Sequence, residues 1–245
     1  MSKISAKFID FSAELREMSV SNGDSFLSMN AETGKVMMSQ DMREAFLEAL
    51  GFLETFTELQ YVRSNHSFVI TDVTLDGNYK ITFKGRSSPS GTILAPYTAH
   101  SSSTFRQGLV LFNTNSHKIA PYWPNVAWAD LAVPDYINFN AAFTIEQDRY
   151  GITISQGENV WDSPYDGSGE SGDVPLYIFG SANANHTDYR NGEFEELLIE
   201  RDGEVIAHFI PRMRNMDNVA GIYDTVSSKF YVSNGSPFIA GPVAE

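Results

Sequence analysis

The side chains that most often carry out enzyme chemistry are few in this sequence, and none shows a catalytic spacing. There is no cysteine, which excludes thiolate nucleophiles, thiolate metal ligands and disulfide bonds. No serine lies in a Gly-x-Ser-x-Gly elbow, and no histidine lies in a His-Glu-x-x-His zinc motif. The five histidines are scattered along the chain, at His66, His100, His117, His186 and His208. These residues predict neither an elbow-type serine hydrolase nor a zinc enzyme.

Carboxylates concentrate in one glycine- and serine-rich loop between Asp166 and Asp173. With Asp162 shortly before it, the loop supplies the hard oxygen ligands that calcium prefers. The candidate ligands are Asp162, Asp166, Glu170 and Asp173. Their spacing does not match an EF-hand, because the glycine and the last glutamate are out of position. Two interpretations stay open, a calcium site and a solvated loop, and no other cofactor is expected.

Aromatic residues gather in the segment Pro-Tyr-Trp-Pro-Asn-Val-Ala-Trp, which ends at Trp128. Its two prolines disfavour a central strand, so the rings are predicted to lie on a loop. Aromatic rings on loops stack on the faces of sugars or anchor protein interfaces. The candidate carbohydrate-binding residues are Tyr122, Trp123, Trp128 and Trp161, with Asn125, Asn183 and Asn185 as hydrogen-bonding partners. The alternative is that at least two of the tryptophans pack in the core.

The charge of the chain narrows the range of partners. The formal net charge is -14, with 17 basic and 31 acidic residues. Such a chain repels phosphate backbones and acidic membrane surfaces, so neither nucleic-acid binding nor membrane insertion is expected. No run approaches the roughly 18 apolar residues of a membrane span. The N-terminus lacks the apolar core of a signal peptide, which predicts a protein that is made in a cytoplasm.

The first 57 residues form a separate N-terminal segment in this reading, small and of mixed α+β structure. Residues 26–30 and 35–39 predict two strands joined by a turn, and Ser39 is a suitable N-cap for an amphipathic helix over 40–56. Apolar residues repeat along that helix at heptad spacing, at Met42, Phe46, Ala49, Leu53 and Phe56. Two interpretations stay open: the helix packs on its own domain, or this seam joins copies of the chain, with a trimer favoured.

The rest of the sequence is dominated by short strand patterns separated by turns. Residues 79–85 alternate between apolar and polar side chains, which is typical of a half-buried strand. Polar turns predict two hairpins, one at 148–151 and one at 201–203. Buried strands are predicted at 108–114 and 175–181. Strands at this spacing, with long polar loops between them, predict two packed antiparallel sheets.

Three stretches of this region carry a family resemblance. They are the opening strands at 58–73, the hairpin at 143–157 with the tryptophan that follows it, and the strands from Pro175 to Pro242. They resemble the concanavalin A-like, laminin-G-type jelly-roll domains common in phage and gut-bacterial surface proteins. The resemblance implies a mainly β fold, a two-sheet lectin-like jelly-roll sandwich over 58–245. This fold carries lectins, glycosidases and purely structural modules, so it does not by itself specify an activity.

The segment Gly-Ile-Tyr-Asp-Thr-Val-Ser-Ser-Lys-Phe-Tyr-Val-Ser-Asn-Gly, which begins at Gly221, is one of the stretches that carry this resemblance. Turn residues at 225–228 predict a hairpin. Two-residue alternation then directs one set of side chains to the core and the other away from it. Tyr223, Phe230 and Val232 are predicted to face the core, and Tyr231 the opposite side.

Jelly-roll glycosidases of this superfamily carry three carboxylates on alternate positions of one strand, which places them on one face of a sheet. The nearest match here is Glu146 and Asp148, and Tyr150 stands where the third acid is needed. Glu193, Glu195 and Glu196 are interpreted as a solvated strand edge. We therefore expect no catalysis, and the chain is not predicted to be an enzyme.

A short N-terminal segment before a lectin-like domain resembles the layout of phage fibre and other virion appendage proteins. The resemblance implies a structural protein of a bacteriophage virion, a fibre or decoration protein assembled in the host cytoplasm. Residues 1–57 would contact other virion proteins, and the β domain would adsorb to host surface glycans. The alternatives are a polysaccharide-degrading phage enzyme and a bacterial surface lectin.

Overall fold

The computed structural model describes residues 27–29, 36–38, 54–75, 79–87, 93–101, 104–112, 117–122, 131–167, 175–180 and 191–244. The chain divides into two compact units, Met1–Thr55 and Phe56–Glu245. Within the described ranges the protein is mainly β and contains no α-helix. Accordingly, no apolar helix of bilayer-spanning length is found there.

The first unit contains one described hairpin. Strand β1 (Leu27–Met29) pairs antiparallel with β2 (Val36–Met38), and Leu27 lies opposite Met38. This confirms the two predicted strands, and the predicted turn between them lies outside the described residues. The predicted helix over 40–56 and its seam fall mostly outside the described residues, which include none of Met42, Phe46, Ala49 and Leu53.

Phe56 departs from the predicted seam, because it lies on a strand of the larger unit rather than on a helix. Strand β3 (Phe56–Glu58) pairs with residues 212–214. The Phe56 ring packs against the rings of Tyr223 and Phe230, with centroid distances of 5.0 and 4.9 Å. Cross-strand pairing and ring contacts therefore hold this residue in the β unit.

The larger unit contains two antiparallel sheets in the described part of the chain. The six-stranded sheet has the order β10-β9-β8-β7-β14-β5. Its strands are β5 (Val69–Thr74), β7 (Ile93–Ser101), β8 (Thr104–Phe112), β9 (Lys118–Tyr122), β10 (Leu131–Ala132) and β14 (Pro175–Ile178). The predicted buried strands over 108–114 and 175–181 correspond to β8 and β14.

The eleven-stranded sheet has the main order β13-β12-β11-β6-β15-β16-β17-β18, with β3, β4 and β19 attached beside it. Its other strands are β4 (Val62–Asn65), β6 (Tyr79–Ser87), β11 (Phe143–Asp148), β12 (Gly151–Gln156), β13 (Asn159–Pro164), β15 (Asn191–Arg201), β16 (Glu204–Arg214), β17 (Val219–Asp224), β18 (Lys229–Tyr231) and β19 (Ile239–Ala240). The predicted alternating strand is β6, and both predicted hairpins, β11–β12 and β15–β16, are confirmed.

The β15–β16 turn shows why its sequence forms a hairpin. Arg201 pairs with Glu204, and the two residues between them have positive φ angles, 52° at Asp202 and 85° at Gly203. Two-residue hairpin turns of this kind need a left-handed backbone at both central positions, which aspartate and glycine adopt at low cost.

The two sheets share one hydrophobic core. Phe83 on β6 is fully buried, and its ring lies 6.3 Å from that of Tyr97 on β7 and 6.4 Å from that of Phe179, which follows β14. A hydrogen bond also joins the sheets inside the core, from the Tyr97 hydroxyl to Oε1 of Gln147 on β11, at 2.8 Å. Burial raises the pKa of the Tyr97 phenol well above its usual range, so the phenol stays a donor.

The hairpin of β17 and β18 forms as predicted, but its faces are reversed. Ile222 and Tyr231 lie opposite each other and are buried, whereas Tyr223 and Phe230 pair on the outward face. Val232 lies beyond β18 and is 46% exposed. The predicted inward set of Tyr223, Phe230 and Val232 is therefore wrong, and so is the outward direction of Tyr231.

Outward packing explains this choice of face. A Cβ atom on Gly221 would lie 2.6 Å from the Phe230 ring, so glycine makes room for that ring on the outward surface. The guanidinium of Arg212 then covers Tyr223 at 4.4 Å, a favourable cation–π distance. Side-chain alternation requires the pair Ile222 and Tyr231 to face the opposite side from the pair Tyr223 and Phe230. It does not determine which pair faces the core.

Candidate functional site

The predicted carbohydrate-binding residues lie mostly outside the described part of the chain. This is the case for Trp123, Asn125, Trp128, Asn183 and Asn185. The backbone of Tyr122 ends strand β9, so the predicted loop is wrong for this residue: Pro121 pairs with Leu109, and Tyr122 with Gly108, despite the proline. For these residues the predicted role stays a prediction.

Trp161 is described, and it does not form an exposed platform. It lies on β13 opposite Ile154 and packs, partly buried, against the hydrophobic core. This position agrees with core packing, the alternative that the sequence left open for the tryptophans. Trp161 therefore supports the sheet, and its predicted part in sugar binding stays a prediction.

The predicted calcium ligands are only partly described. Asp162 lies next to Trp161 on β13 and is exposed, because neighbouring residues of a strand face opposite sides. Asp166 is exposed after the strand, and Glu170 and Asp173 lie outside the described residues. Among the described side chains, no group of three or more acids or histidines is placed to hold a metal ion.

Two neighbouring grooves lie beside the β11–β12 turn. The first has a volume of about 250 Å³ and is lined by residues that include Glu146, Thr153 and Asp162. The second has a volume of about 330 Å³ and reaches the β15–β16 turn at Asp202. Both grooves are lined by Lys80, Asp148 and Tyr150. We call them the Tyr150 grooves.

Tyr150 is a large apolar ring that projects into solvent at this place. It is 64% exposed, and the guanidinium of Arg149 lies 5.1 Å from its ring centre. Its backbone is held by the turn, since Oδ1 of Asp148 accepts the N–H groups of Tyr150 at 2.7 Å and Gly151 at 3.1 Å. The turn thus presents an exposed ring from a fixed backbone.

The three carboxylates that line the first groove differ in their hydrogen bonds and ion pairs. Glu146 and Lys80 form an exposed ion pair at 3.0 Å, and the hydrogen bond to Glu146 raises the pKa of Lys80. Asp148 uses one oxygen to hold the turn. Asp162 is exposed to solvent. Strand β12 lies between Asp162 and Glu146, and both residues pair with Thr153 on that strand. All three side chains line the first groove.

A second constellation on the sheet is a buried glutamate between two arginines. Glu193 has a side chain only 6% exposed, and Oε1 accepts two hydrogen bonds from Arg63, at 2.9 and 2.7 Å. Arg86 donates to the other oxygen. Burial opposes ionisation of Glu193, but the hydrogen bonds from Arg86 and Arg63 outweigh it and lower its pKa.

The interpretation of Glu193, Glu195 and Glu196 as a solvated edge is therefore wrong. Their strand β15 lies inside the sheet, paired with β6 along one side and with β4 and β16 along the other. Glu193 is buried, and Glu195 and Glu196 are partly buried. Cross-strand neighbours that the sequence does not reveal make these residues structural.

A third constellation joins a hydroxyl, an imidazole and a carboxylate. Nε2 of His208 lies 2.9 Å from Oε1 of Glu196, and Nδ1 lies 3.2 Å from the hydroxyl of Thr225. Lys84 pairs with the other oxygen of Glu196. Burial disfavours the charge on Glu196, but its bonds with Lys84 and His208 lower its pKa. In the tautomer that carries its proton on Nε2, His208 donates to Oε1 of Glu196 and accepts from the Thr225 hydroxyl at Nδ1.

In the sequence, Tyr150 stands out only as the residue that breaks the carboxylate pattern. The signal that identifies it is its place in a four-residue polar turn between two strands, where an aromatic ring cannot reach the core. Asp148 before it and Gly151 after it mark the same turn.

No protein-family model matches the chain, and no curated protein matches it. One similar solved structure is that of Scytalido-glutamic peptidase with a peptide-based transition state analogue, at 11% sequence identity and a TM-score of 0.33. The match covers 67% of this chain and 93% of that one.

Proposed function

We propose that this protein is a structural component of a bacteriophage virion, a fibre or decoration protein. In this proposal its larger unit is a jelly-roll sandwich that binds host surface glycans without catalysis. The smaller unit, Met1–Thr55, docks the protein on other virion proteins and joins its copies, with a trimer favoured. The observation that carries the glycan-binding part is the exposed Tyr150 ring between two polar grooves.

The chemistry of these grooves suits a sugar. The faces of pyranose rings carry C–H groups that pack on aromatic rings. Tyr150 offers such a ring, because it is exposed rather than packed in the core. Sugar hydroxyls need donors and acceptors beside the ring, which Lys80, Thr153 and Asp162 supply. The groove volumes of about 250 and 330 Å³ fit short saccharides.

The arrangement of the acids supports binding without catalysis. Hydrolysis of a glycosidic bond needs a protonated acid and a free carboxylate on either side of the bond. Glu146 and Asp148 stand on alternate positions of β11, but Tyr150 occupies the next alternate position, and Asp148 is bonded to two backbone N–H groups. The set of three carboxylates on one strand is therefore incomplete.

The two-unit division supports a display role. A single shallow groove binds a sugar weakly, and several copies on one particle raise the apparent affinity by avidity. Deletion of Met1–Thr55, which leaves β3 in place, is expected to yield a monomer that no longer enters particles. Continued incorporation of the truncated protein into particles would contradict the docking role.

The glycan-binding role is tested on an array of bacterial surface glycans with the full chain and two variants. Tyr150→Ala is expected to lose binding by about tenfold or more, since it removes the stacking ring. Tyr136→Ala is the matched control, because Tyr136 is 50% exposed but does not line the Tyr150 grooves. Equal binding by wild type and Tyr150→Ala would move the site elsewhere, and no binding by either would end the proposal.

A second candidate function is hydrolysis of an ester group on a bound glycan. The Thr225–His208–Glu196 constellation favours it, because the imidazole is placed to take a proton from an exposed hydroxyl. The test is release of acetate from O-acetylated host polysaccharide. Release that is lost in both Thr225→Val and His208→Gln would establish this function, and an unchanged polysaccharide would leave only binding.

A further inference from the structure

The Tyr150 grooves carry an excess of negative charge. Their linings contain two basic residues and five acidic ones: Lys80, Arg149, Glu146, Asp148, Asp162, Glu200 and Asp202. Lys80 pairs with Glu146 at 3.0 Å, and Arg149 lies over the ring of Tyr150. Together they offset two of the five acids, which leaves three negative charges in excess. The field that a ligand meets is therefore negative.

Sheet register places two of the acids on one row. Glu146 on β11 and Asp162 on β13 both pair with Thr153 on β12, so the three side chains share the outward face. Neighbouring strands are about 4.8 Å apart, which puts the two carboxyl-bearing backbones about 10 Å apart. A sugar ring fits across that span, with a hydroxyl-bearing residue between the acids and the Tyr150 ring beside them.

We infer that the Tyr150 grooves select glycans that carry a free, protonated amine, with the ammonium held between Glu146 and Asp162 above Thr153. The inference rests on the proposed glycan-binding function and adds the class of sugar. An ammonium donates hydrogen bonds to both carboxylates, whereas an N-acetyl group carries no charge to pair with them. A uronic acid places a carboxylate in the same negative field and is repelled.

The test compares three oligosaccharides of equal length on the full chain at one pH, about pH 6. They are de-N-acetylated chitosan oligomers, N-acetylated chitin oligomers and oligogalacturonates. The amine form is expected to bind about three- to tenfold more tightly than the N-acetylated form, with the uronate weakest. The preference is expected to shrink as salt is added, because exposed ion pairs are screened.

Three charge-neutralising variants locate the preference. Asp162→Asn and Glu146→Gln are each expected to bring amine binding close to the N-acetylated level, with little change in binding of the N-acetylated form. Glu158→Gln is the matched control, because it removes one charge from an exposed residue at the opposite end of the β12 hairpin, outside both grooves. It is expected to keep the full preference.

The outcomes separate this inference from the proposed function. Equal binding of the amine and N-acetylated oligomers overturns the inference and leaves glycan binding intact. A preference for the amine that survives in both Asp162→Asn and Glu146→Gln overturns the assigned position. Tighter binding of oligogalacturonate overturns the charge argument itself. Absence of binding to any oligomer, and to the glycan array, removes the proposed function and this inference with it.

Discussion

Glu193 and Glu146 are glutamates on strands of the same sheet, and each lies beside a basic residue. Glu193 has a side chain 6% exposed and is held by two arginines, whereas the Glu146 side chain is 49% exposed and meets one lysine. At Glu193, both carboxylate oxygens accept hydrogen bonds from arginines, which leaves no side open to a ligand. At Glu146 the carboxylate remains accessible, because its solvent-exposed ion pair with Lys80 is weak.

The difference shows that burial, rather than residue type, separates a structural carboxylate from an available one. The Tyr61 ring also lies about as far from the guanidinium of Arg63 as from that of Arg86, at 5.8 and 5.9 Å, which closes the Glu193 cluster further. Among the described residues, none covers Glu146 in this way, and Glu146 lines an open groove. The following predictions test this contrast.

The largest expected difference between the two glutamates is in folding stability. Glu193→Gln removes the charge between Arg63 and Arg86 and is expected to lower the free energy of unfolding by about 2 kcal/mol. Glu146→Gln is the matched change on the exposed side and is expected to alter it by less than about 0.5 kcal/mol. Urea unfolding of both variants measures the difference, and equal losses would remove the contrast.

The same cluster is expected to make stability depend on pH. The folded-state pKa of Glu193 lies below its unfolded value of about 4.3, so its stabilisation is present above that pH and is lost as pH falls through the folded pKa. Urea unfolding at a series of pH values is expected to show a shallower acid loss in Glu193→Gln than in wild type. A parallel pH profile in the variant would show that Glu193 does not carry this dependence.

Glu195 is expected to behave with the opposite sign. Burial raises its pKa, with the charge of Glu193 adding to this and Arg86 and Lys84 opposing it. Its ionised form therefore costs stability as pH rises above the unfolded pKa of about 4.3. Glu195→Gln is expected to raise the free energy of unfolding by about 0.5 kcal/mol at neutral pH. The gain should vanish in acid, where both states are protonated, and a loss at neutral pH would contradict it.

The smallest expected effect on stability is at the binding surface. Tyr150→Ala removes a ring that is 64% exposed, so the free energy of unfolding is expected to change by less than about 0.5 kcal/mol. Phe83→Ala provides the contrast, because it removes a fully buried ring and is expected to cost about 3 kcal/mol or more. Thermal unfolding compares the two, and a large loss in Tyr150→Ala would make that ring structural.

Local signals predicted much of the fold. Asp202 and Gly203 specify a two-residue turn through their own backbone preferences, and the alternation in β6 specifies a strand with one buried face. Such features depend on residues a few positions apart. The face of the β17–β18 hairpin was predicted wrongly because it depends on Gly221 and Arg212 beside Tyr223, contacts that alternation cannot distinguish.

At the candidate site, too, some features follow from the sequence alone and others only from the tertiary structure. The sequence by itself determined a mainly β chain with strong acidity, its main hairpins, and the turn that exposes Tyr150. Only the tertiary structure decided that Glu193 is enclosed between Arg63 and Arg86 and that Asp162 lies across Thr153 from Glu146. The physical reason is that turns and alternation follow from neighbouring residues, whereas burial and cross-strand register arise when distant strands meet.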